Sequence, residues 1–396
     1  MEPQMGHMAW TLTGGRAEGT SVARAPVPVR GGFVVGITYP GSSGCVTFIS
    51  DAGEPRWAIQ SNAGYAGAAQ VGDLIVIAHS VGKMSVFAVD AATGKGRWSL
   101  PGNRGIWLRV ATDGKNVLVT GFGGGILLLD GASGRIVQER FGGSRSPSFR
   151  HAIVDDGFIL TSGTVNEHGE VLAFDSAGRV ALEASVDLFS PDPVAVVGDT
   201  IVLQSSGTTS DDGKGEPTTH LVGIDRRTGA ARWRRVLDGE RADLGVEAGG
   251  LIVARHTGAL TGVDARTGAI IWTKALAPSH FPQLAPLDDG SVAVGEENGL
   301  LLAVEAVDGR VRWQTGMGAP IAVLGSLGPG RLLAVAEPDQ YVAFTANDGT
   351  KVWAERGPVT GRGFTSEDYG REVQASGDLV ATRTGLYGAV GIRRGS

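Results

Sequence analysis

The sequence contains a single cysteine, Cys45, in 396 residues, so the chain cannot form an internal disulfide. Long apolar runs are also missing, and none reaches the roughly 18 residues that a membrane-spanning helix requires. The first residues lack the basic segment followed by an apolar segment that marks a secretory signal peptide. From these absences we expect a cytoplasmic protein whose fold needs no oxidising compartment.

The chain has no excess of positive charge. Its net charge is −6 at pH 7 and its isoelectric point is near 5.7. Nucleic-acid-binding domains usually carry a basic surface, so we expect no nucleic-acid partner. No Gly-Lys dipeptide precedes a serine or threonine, which excludes a Walker A loop. The sequence also lacks a nucleophile-elbow motif and the paired-cysteine and paired-histidine motifs of zinc sites.

Glycine, in contrast, is abundant. The 63 glycines and 17 prolines stand at regular intervals between short apolar runs. This spacing is typical of turns between strands and not of low-complexity disorder. The composition therefore predicts an all-β protein with many short strands.

One pattern recurs along the chain: an apolar strand ends in Asp or a small residue, a turn contains Gly, and a second strand carries Trp. The copies are FISDAGEPRW (48–57), VDAATGKGRW (89–98), LDGASGRIVQ (129–138), FDSAGRVALE (174–183), IDRRTGAARW (224–233), VDARTGAIIW (263–272), VEAVDGRVRW (304–313) and FTANDGTKVW (344–353). Two further strands precede each hairpin. A four-strand repeat of this length predicts a β-propeller. Gln138 and Glu183 stand at the Trp position in two copies, where we expect weaker contacts between blades.

A ninth copy is split between the two ends of the chain. Residues 371–396 supply three of its strands, and residues 8–15, with Trp10, supply the last one. Pairing these segments would close the ring and hide its edge strands. We therefore predict one domain over residues 1–396, a single closed propeller of nine four-stranded antiparallel blades, with eight blades as the alternative.

The segments GALTGVDARTGAIIW (258–272) and MSVFAVDAATGKGRW (84–98) resemble the repeat of the PQQ-like propeller family. That family includes quinoprotein dehydrogenases and non-catalytic scaffolds such as the BamB-type assembly lipoproteins, so the resemblance implies the fold and leaves the function open. Quinoproteins usually carry an adjacent cysteine pair near the cofactor, which this chain lacks. We therefore expect no bound PQQ and no other cofactor.

The loops between strands b and c, and those between consecutive blades, are the expected functional region, because loops on a rigid scaffold commonly carry function. They contain a set of cationic and aromatic residues suited to an anionic partner, since Arg binds carboxylate or phosphate bidentately. The set is Arg104, Trp107, Arg109, Arg145, Arg150, His151, Arg255, His256, His280, Phe281 and Arg383. The alternative is that these arginines pair with nearby acids or are simply solvated.

Acidic residues offer weaker candidates. Glu296 and Glu297, and Glu337 and Asp339, occupy b–c turns of adjacent blades and could do acid–base work. Asp211, Asp212 and Glu216 could hold a hard cation such as Ca²⁺, although a solvated loop is the simpler interpretation. We predict no metal site.

Three functions stay open. The first is a monomeric, non-catalytic scaffold that binds a protein or an anionic ligand with its loop face. The second is an enzyme acting on a small anionic metabolite, with His151, His256 or His280 as acid–base. The third is a ligand-sensing domain.

Overall fold

A computed structural model shows an all-β protein. It describes residues 8–13, 21–22, 26–38, 44–61, 65–79, 86–100, 106–122, 125–140, 148–165, 168–188, 190–208, 216–239, 245–277, 283–357, 373–376, 379–384 and 388–393. The strands in these ranges form nine separate antiparallel sheets, which we call blades 1–9 in chain order. The prediction of nine blades is therefore confirmed. No described helix has the length and apolar content needed to cross a membrane.

The chain divides into two compact units, and residues 14–193 with 225–230 make up the first. This unit holds blades 1–4 and, in residues 225–230, the turn between the last two strands of blade 5. Their strands are β1 to β17: for blade 1, β1 (Ser21–Val22), β2 (Val27–Val29), β3 (Gly32–Thr38), β4 (Gly44–Ser50) and β5 (Pro55–Ser61); for blade 2, β6 (Tyr65–Val71), β7 (Leu74–His79), β8 (Val86–Asp90) and β9 (Gly96–Leu100); for blade 3, β10 (Ile106–Thr112), β11 (Asn116–Phe122), β12 (Gly125–Asp130) and β13 (Ile136–Arg140); for blade 4, β14 (Ser148–Asp155), β15 (Phe158–Val165), β16 (His168–Phe174) and β17 (Val180–Val186).

The second unit comprises residues 1–13, 194–224 and 231–396 and holds blades 5–9. Its strands are β18 to β37: for blade 5, β18 (Asp192–Val197), β19 (Thr200–Thr208), β20 (Pro217–Asp225) and β21 (Ala231–Asp238); for blade 6, β22 (Val246–Ala248), β23 (Leu251–His256), β24 (Ala259–Asp264) and β25 (Ile270–Ala275); for blade 7, β26 (Gln283–Pro286), β27 (Ser291–Gly295), β28 (Leu300–Glu305) and β29 (Val311–Gly316); for blade 8, β30 (Ile321–Gly328), β31 (Arg331–Ala336), β32 (Gln340–Thr345) and β33 (Lys351–Arg356); for blade 9, β34 (Val373–Ser376), β35 (Leu379–Thr384), β36 (Gly388–Arg393) and the N-terminal strand β37 (Met8–Thr13).

Within each blade the four strands are named a to d in pairing order, as the sequence predicted. The a–b and c–d turns of a blade share one end, here called the hairpin end. The b–c turns and the connections between blades share the other, here called the loop end. Blade 1 has five strands because β1 and β2 both pair with β3 on the same side, as two pieces of one strand a. Pro26 stands at this interruption and Pro28 lies within β2, and proline lacks the N–H that a ladder needs.

Apolar side chains pack between neighbouring blades rather than within one. Between blades 6 and 7, for example, the buried core contains Val253 and Leu260 from one sheet and Leu284, Val294 and Leu302 from the next. Each sheet is therefore covered by its neighbours within its unit, and no single blade could bury its own apolar surface.

Five strand-d tryptophans join consecutive blades by a repeated hydrogen bond. In each case the indole Nε1–H donates to the backbone carbonyl of the second residue of the next c–d hairpin. The donor–acceptor pairs are Trp57 and Ala91 (2.9 Å), Trp98 and Gly131 (3.2 Å), Trp233 and Ala265 (3.1 Å), Trp272 and Ala306 (2.6 Å), and Trp313 and Ala346 (2.8 Å). The predicted packing role of the tryptophan therefore includes a specific polar contact, which we call the blade joint.

The hairpin glycine completes the blade joint. Gly268 adopts a φ of +69°, and a Cβ placed there would lie 2.5 Å from Cδ2 of Trp233 in the preceding blade. A larger residue would therefore meet both backbone strain and the indole ring. The Trp of one copy of the repeat motif therefore contacts the Gly of the next copy.

The joint between blades 3 and 4 lacks a tryptophan and uses polar contacts. Gln138 stands at the Trp position of blade 3, as predicted. The carbonyl of Ser176, which would accept an indole N–H in the other joints, instead accepts from Asn116 Nδ2 at 3.0 Å and Lys115 Nζ at 3.2 Å. Arg140 adds a bidentate pair with Glu183, with both N–O distances at 2.7 Å.

The sequence assignment of Glu183 to the Trp position of blade 4 is wrong by one residue. The hairpin of blade 4 is one residue shorter than the others, so Leu182 pairs opposite Ala173 where Trp98 pairs opposite Ala88 in blade 2. Leu182 is buried and, together with Ala184, contacts Gly229 of the next hairpin, whereas Glu183 is exposed. An apolar residue therefore keeps the tryptophan's place.

The N-terminal strand β37 pairs with β36, the last strand of the chain. The register runs from Met8 opposite Ile392 to Thr13 opposite Gly388. The predicted pairing of the two chain ends is confirmed.

Candidate binding site

Many of the predicted loop residues lie outside the part of the chain that the structure describes. These are Arg104, Arg145, Asp211, Asp212, His280 and Phe281. Trp107, Arg150, His151 and Arg383 lie in described strands, although their side chains are not described. Glu216 is exposed just before β20. Among the described residues, no group of three or more His, Cys, Asp or Glu side chains is placed to hold a metal ion.

Four residues expected in the loops between consecutive blades lie in strand a instead. Trp107 and Arg109 belong to β10, and Arg150 and His151 belong to β14. Both strands contain a register shift, between Trp107 and Arg109 and between Phe149 and His151. Such a bulge adds one residue to a strand without ending it, so strand a continues further towards the loop end than the turn residues indicated.

Arg255 and Glu296 form a buried ion pair between blades 6 and 7. The guanidinium Nε donates to Glu296 Oε1 at 3.1 Å, and the NH2 nitrogen donates to Oε2 at 3.2 Å. Arg255 also donates to the carbonyls of His256, Ala259 (3.1 Å) and Ala277 (2.7 Å). Arg255 is fully buried and Glu296 is 2% exposed. This arginine therefore links three segments of the loop end by hydrogen bonds, and its side chain is not available to a partner protein.

His256 is also held inside the protein. Its Nδ1 lies 2.5 Å from the carbonyl oxygen of Asp238 in blade 5, and its Nε2 lies 2.9 Å from Thr261 Oγ1. Since a carbonyl can only accept, Nδ1 carries the proton and Nε2 accepts from the threonine hydroxyl. Burial is the main cause that lowers the pKa of His256, which keeps this ring neutral. Both ring nitrogens are already used.

His79 is the second described histidine at the loop end. It is 4% exposed, and its ring packs edge-on against Phe87 with 5.0 Å between ring centroids. Burial lowers the pKa of His79 to about 4, so it is uncharged at neutral pH. It adds no cationic group to the loop end.

Two of the four acidic turn residues pair with arginines. Glu296 is bound to Arg255, whereas Glu297 next to it is exposed. Asp339 lies 3.5 Å from Arg356 within blade 8. The arginines and acids that the sequence placed in separate clusters thus partly pair with each other.

A cleft at the hairpin end, between blades 1 and 2, was not found from the sequence. Its volume is about 330 Å³, and Arg30, Arg56, Gln70, Asp73 and Asp90 line it above Phe48. Gln70 accepts from the Arg30 backbone N–H at 2.6 Å and donates to the Gly72 carbonyl at 2.9 Å, which fixes the two turns against each other. Arg30 and Asp73 face each other at 3.7 Å and are both well exposed.

Structures of other propellers share this architecture at low sequence identity. A computationally designed protein, Ika8, matches with a TM-score of 0.59 and 12% identity over 84% of this chain and 96% of its own. BamB from Moraxella catarrhalis matches with a TM-score of 0.51 and 14% identity over 96% of this chain and 99% of its own. A quinohemoprotein alcohol dehydrogenase from Comamonas testosteroni matches with a TM-score of 0.56 and 13% identity over 84% of this chain and 74% of its own. No curated protein sequence matches this chain.

At these identities the structural matches show the fold alone, and they include both a dehydrogenase and a designed protein. A family model described as outer membrane protein assembly factor BamB matches residues 1–235 and 255–394, which is nearly the whole chain. The repeat motifs, the nine four-stranded blades and this match agree, and the chain belongs to the PQQ-like family of β-propellers that this BamB model describes.

Proposed function

We propose that this protein is a non-catalytic scaffold that binds a partner protein with the loop end of its blades. The observation that supports this proposal most is the internal bonding of three ionisable groups there. Arg255 and Glu296 form an ion pair with each other across two blades, and both ring nitrogens of His256 are hydrogen-bonded, one of them to the preceding blade. Such bonds make the loop end a rigid platform and leave these groups unable to exchange protons with a substrate.

The family description supports the same function, because the matching model is named after an assembly factor. In this proposal three of the arginines predicted from the sequence, Arg104, Arg109 and Arg150, contact acidic groups of the partner. Arg255 has no such role, since its charge is already paired.

The test compares two triple variants of the full chain. In the first, Arg104, Arg109 and Arg150 become Ala at the loop end. In the second, Arg135, Arg179 and Arg310 become Ala at the hairpin end, so the charge change is the same. A partner is captured from a lysate of the source cells by the unaltered protein and purified, and its Kd for each variant is measured by calorimetry.

We expect the loop-end variant to weaken binding at least tenfold and the hairpin-end variant to leave it unchanged. Equal binding by both variants would remove the loop end as the contact surface. Turnover of a small anionic metabolite by the purified protein would favour the enzyme alternative instead. His79 and His256 do not favour that alternative, because both are buried.

A further inference from the structure

Strand d of blades 1–8 carries a bulge at the position just before the tryptophan or its replacement. At this position one residue of strand d has no partner on strand c. Its side chain therefore need not follow the alternation of side chains between the two faces of the sheet. The skipped residues are Arg56, Arg97, Val137, Ala181, Arg232, Ile271, Arg312 and Val352. The position therefore accepts either an arginine or an aliphatic residue.

In blades 2 and 7 the bulge arginine pairs with the acid that begins the hairpin of its own blade, whereas Arg232 of blade 5 donates to Thr200 Oγ1 at 3.0 Å. Arg97 NH2 lies 2.6 Å from Asp90 Oδ2 in blade 2. In blade 7, Arg312 Nε and NH2 lie 2.9 and 3.0 Å from the two carboxylate oxygens of Glu305. In both blades the acid is the first residue of the hairpin, so the charge of the arginine is neutralised internally.

Blade 1 differs from blades 2 and 7. Its hairpin begins with Ser50, whose carbonyl accepts from the Gly53 N–H just as the Asp90 carbonyl accepts from Gly94. The Ser50 hydroxyl accepts from the Glu54 N–H at 3.1 Å, so it replaces the carboxylate as a turn acceptor but not as a charge. Among the described residues, the exposed Arg56 forms no ion pair.

This arginine lines the cleft between blades 1 and 2, where the charge balance favours an anion. Asp90 is already bound by Arg97 and by Thr93, whose hydroxyl lies 2.8 Å away. Asp73 faces Arg30 across the mouth at 3.7 Å. With Asp90 bound by Arg97 and Asp73 facing Arg30, Arg56 is the charged lining group that has no ion-pair partner among the described residues.

We propose that this cleft is a carboxylate-binding site in which Arg56 and Arg30 hold the ligand above Phe48. A guanidinium presents two parallel N–H groups that match a carboxylate. The volume of about 330 Å³ fits a group of side-chain to small-metabolite size. The site lies at the hairpin end and does not depend on the function proposed for the loop end.

The test uses a fluorescein-labelled hexaglutamate peptide as probe and measures its Kd by fluorescence anisotropy on the full chain. Arg56→Ile, which introduces the residue that blade 6 carries as Ile271, should raise the Kd at least tenfold. Ser50→Asp should have the same effect although Arg56 is still present, because it restores the internal acid found in blade 2. Ser50→Asn and Arg135→Ile should bind as the unaltered chain does, and thermal melting should show every variant folded.

Unchanged affinity of both Arg56→Ile and Ser50→Asp would overturn the proposal, as would equal binding of a hexaglutamine peptide. A loss in Ser50→Asn as large as in Ser50→Asp would also count against it, since the effect would then be steric. Succinate added as a competitor identifies the source of the carboxylate. Displacement of the peptide supports a site for free dicarboxylates, and persistence of the complex supports a site for acidic protein segments.

Discussion

At the scale of residues, the hairpin aspartate explains why the motif Asp-x-x-Thr-Gly recurs. Asp90 Oδ1 accepts from the Thr93 N–H at 3.0 Å and from its hydroxyl at 2.8 Å, which closes the turn. The same two bonds recur between Asp225 and Thr228 and between Asp264 and Thr267. The carboxylate thus supplies turn structure and, in blade 2, the partner of the bulge arginine.

Acid should weaken these hairpins. Hydrogen bonds from Arg97 and Thr93 lower the pKa of Asp90 to about 2, and similar bonds lower the pKa of Asp264. A carboxyl whose pKa is lower in the folded state adds stability above its unfolded pKa, near 4, and loses it as the pH falls towards 2. Asp90→Asn should therefore be less stable than the unaltered chain at pH 7, with a smaller difference at pH 2.5.

The measurement is urea unfolding of both chains at the two pH values, with Asp199→Asn, a change at an exposed turn residue, as the control. A stability difference that is the same at pH 7 and pH 2.5 would show that the Asp90 charge has no role.

The buried pair of Arg255 and Glu296 should be sensitive to loss of one partner. Glu296→Gln leaves the guanidinium buried without its counter-charge, which typically costs about 3 kcal/mol. Glu297→Gln changes the exposed neighbour and should cost less than about 0.5 kcal/mol. Chemical denaturation of the two variants checks this, and equal costs would mean that the buried pair contributes no more than a surface carboxylate.

At the scale of elements, the blade joint makes each hairpin dependent on the blade before it. The indole of Trp233 donates to Ala265 and covers Gly268, so the two halves of the repeat motif act between blades. The joint between blades 3 and 4 replaces the indole with Asn116, Lys115 and an exposed Arg140–Glu183 pair. Exposed ion pairs contribute little, so this joint depends mainly on the apolar core beside it.

Two glycines of blade 6 allow the cost of backbone strain to be measured separately from the cost of a clash with tryptophan. Gly258 and Gly268 both have positive φ, at +80° and +69°, but only Gly268 has an atom within 4 Å of an added Cβ. Gly258→Ala should cost about 1 kcal/mol for the left-handed conformation alone. Gly268→Ala should cost that and about 2 kcal/mol more, because Trp233 must move and its packing is lost. Urea unfolding of the two variants gives the difference, and equal costs would mean that the joint repacks freely.

At the scale of the whole molecule, the two chain ends share one sheet. Strand β37 covers the edge of β36, and an uncovered edge offers unpaired N–H and C=O groups to other chains. Blade 9 is thus the only described blade built from distant parts of the sequence.

A chain that begins at Gly14 should therefore unfold at a lower temperature and self-associate. A chain that begins at Met8 retains β37 and should behave like the unaltered protein. Calorimetry gives the Tm and light scattering gives the mass of each. The same Tm and a monomeric mass for both chains would show that β37 adds nothing to stability or solubility.

The repeats in the sequence determined the fold class, the number of blades and the pairing of the chain ends, because each depends on spacing within or between copies. Spacing also located Trp and Gly but could not show that they meet across copies. Only the tertiary structure decided that Arg255 is buried with Glu296, since they are 41 residues apart and belong to different blades. It also decided that Arg56 differs from Arg97 and Arg312. The first residue of the hairpin is an acid beside Arg97 and Arg312, namely Asp90 and Glu305, whereas it is Ser50 beside Arg56. The structure shows that these three hairpin residues occupy the same position relative to the bulge.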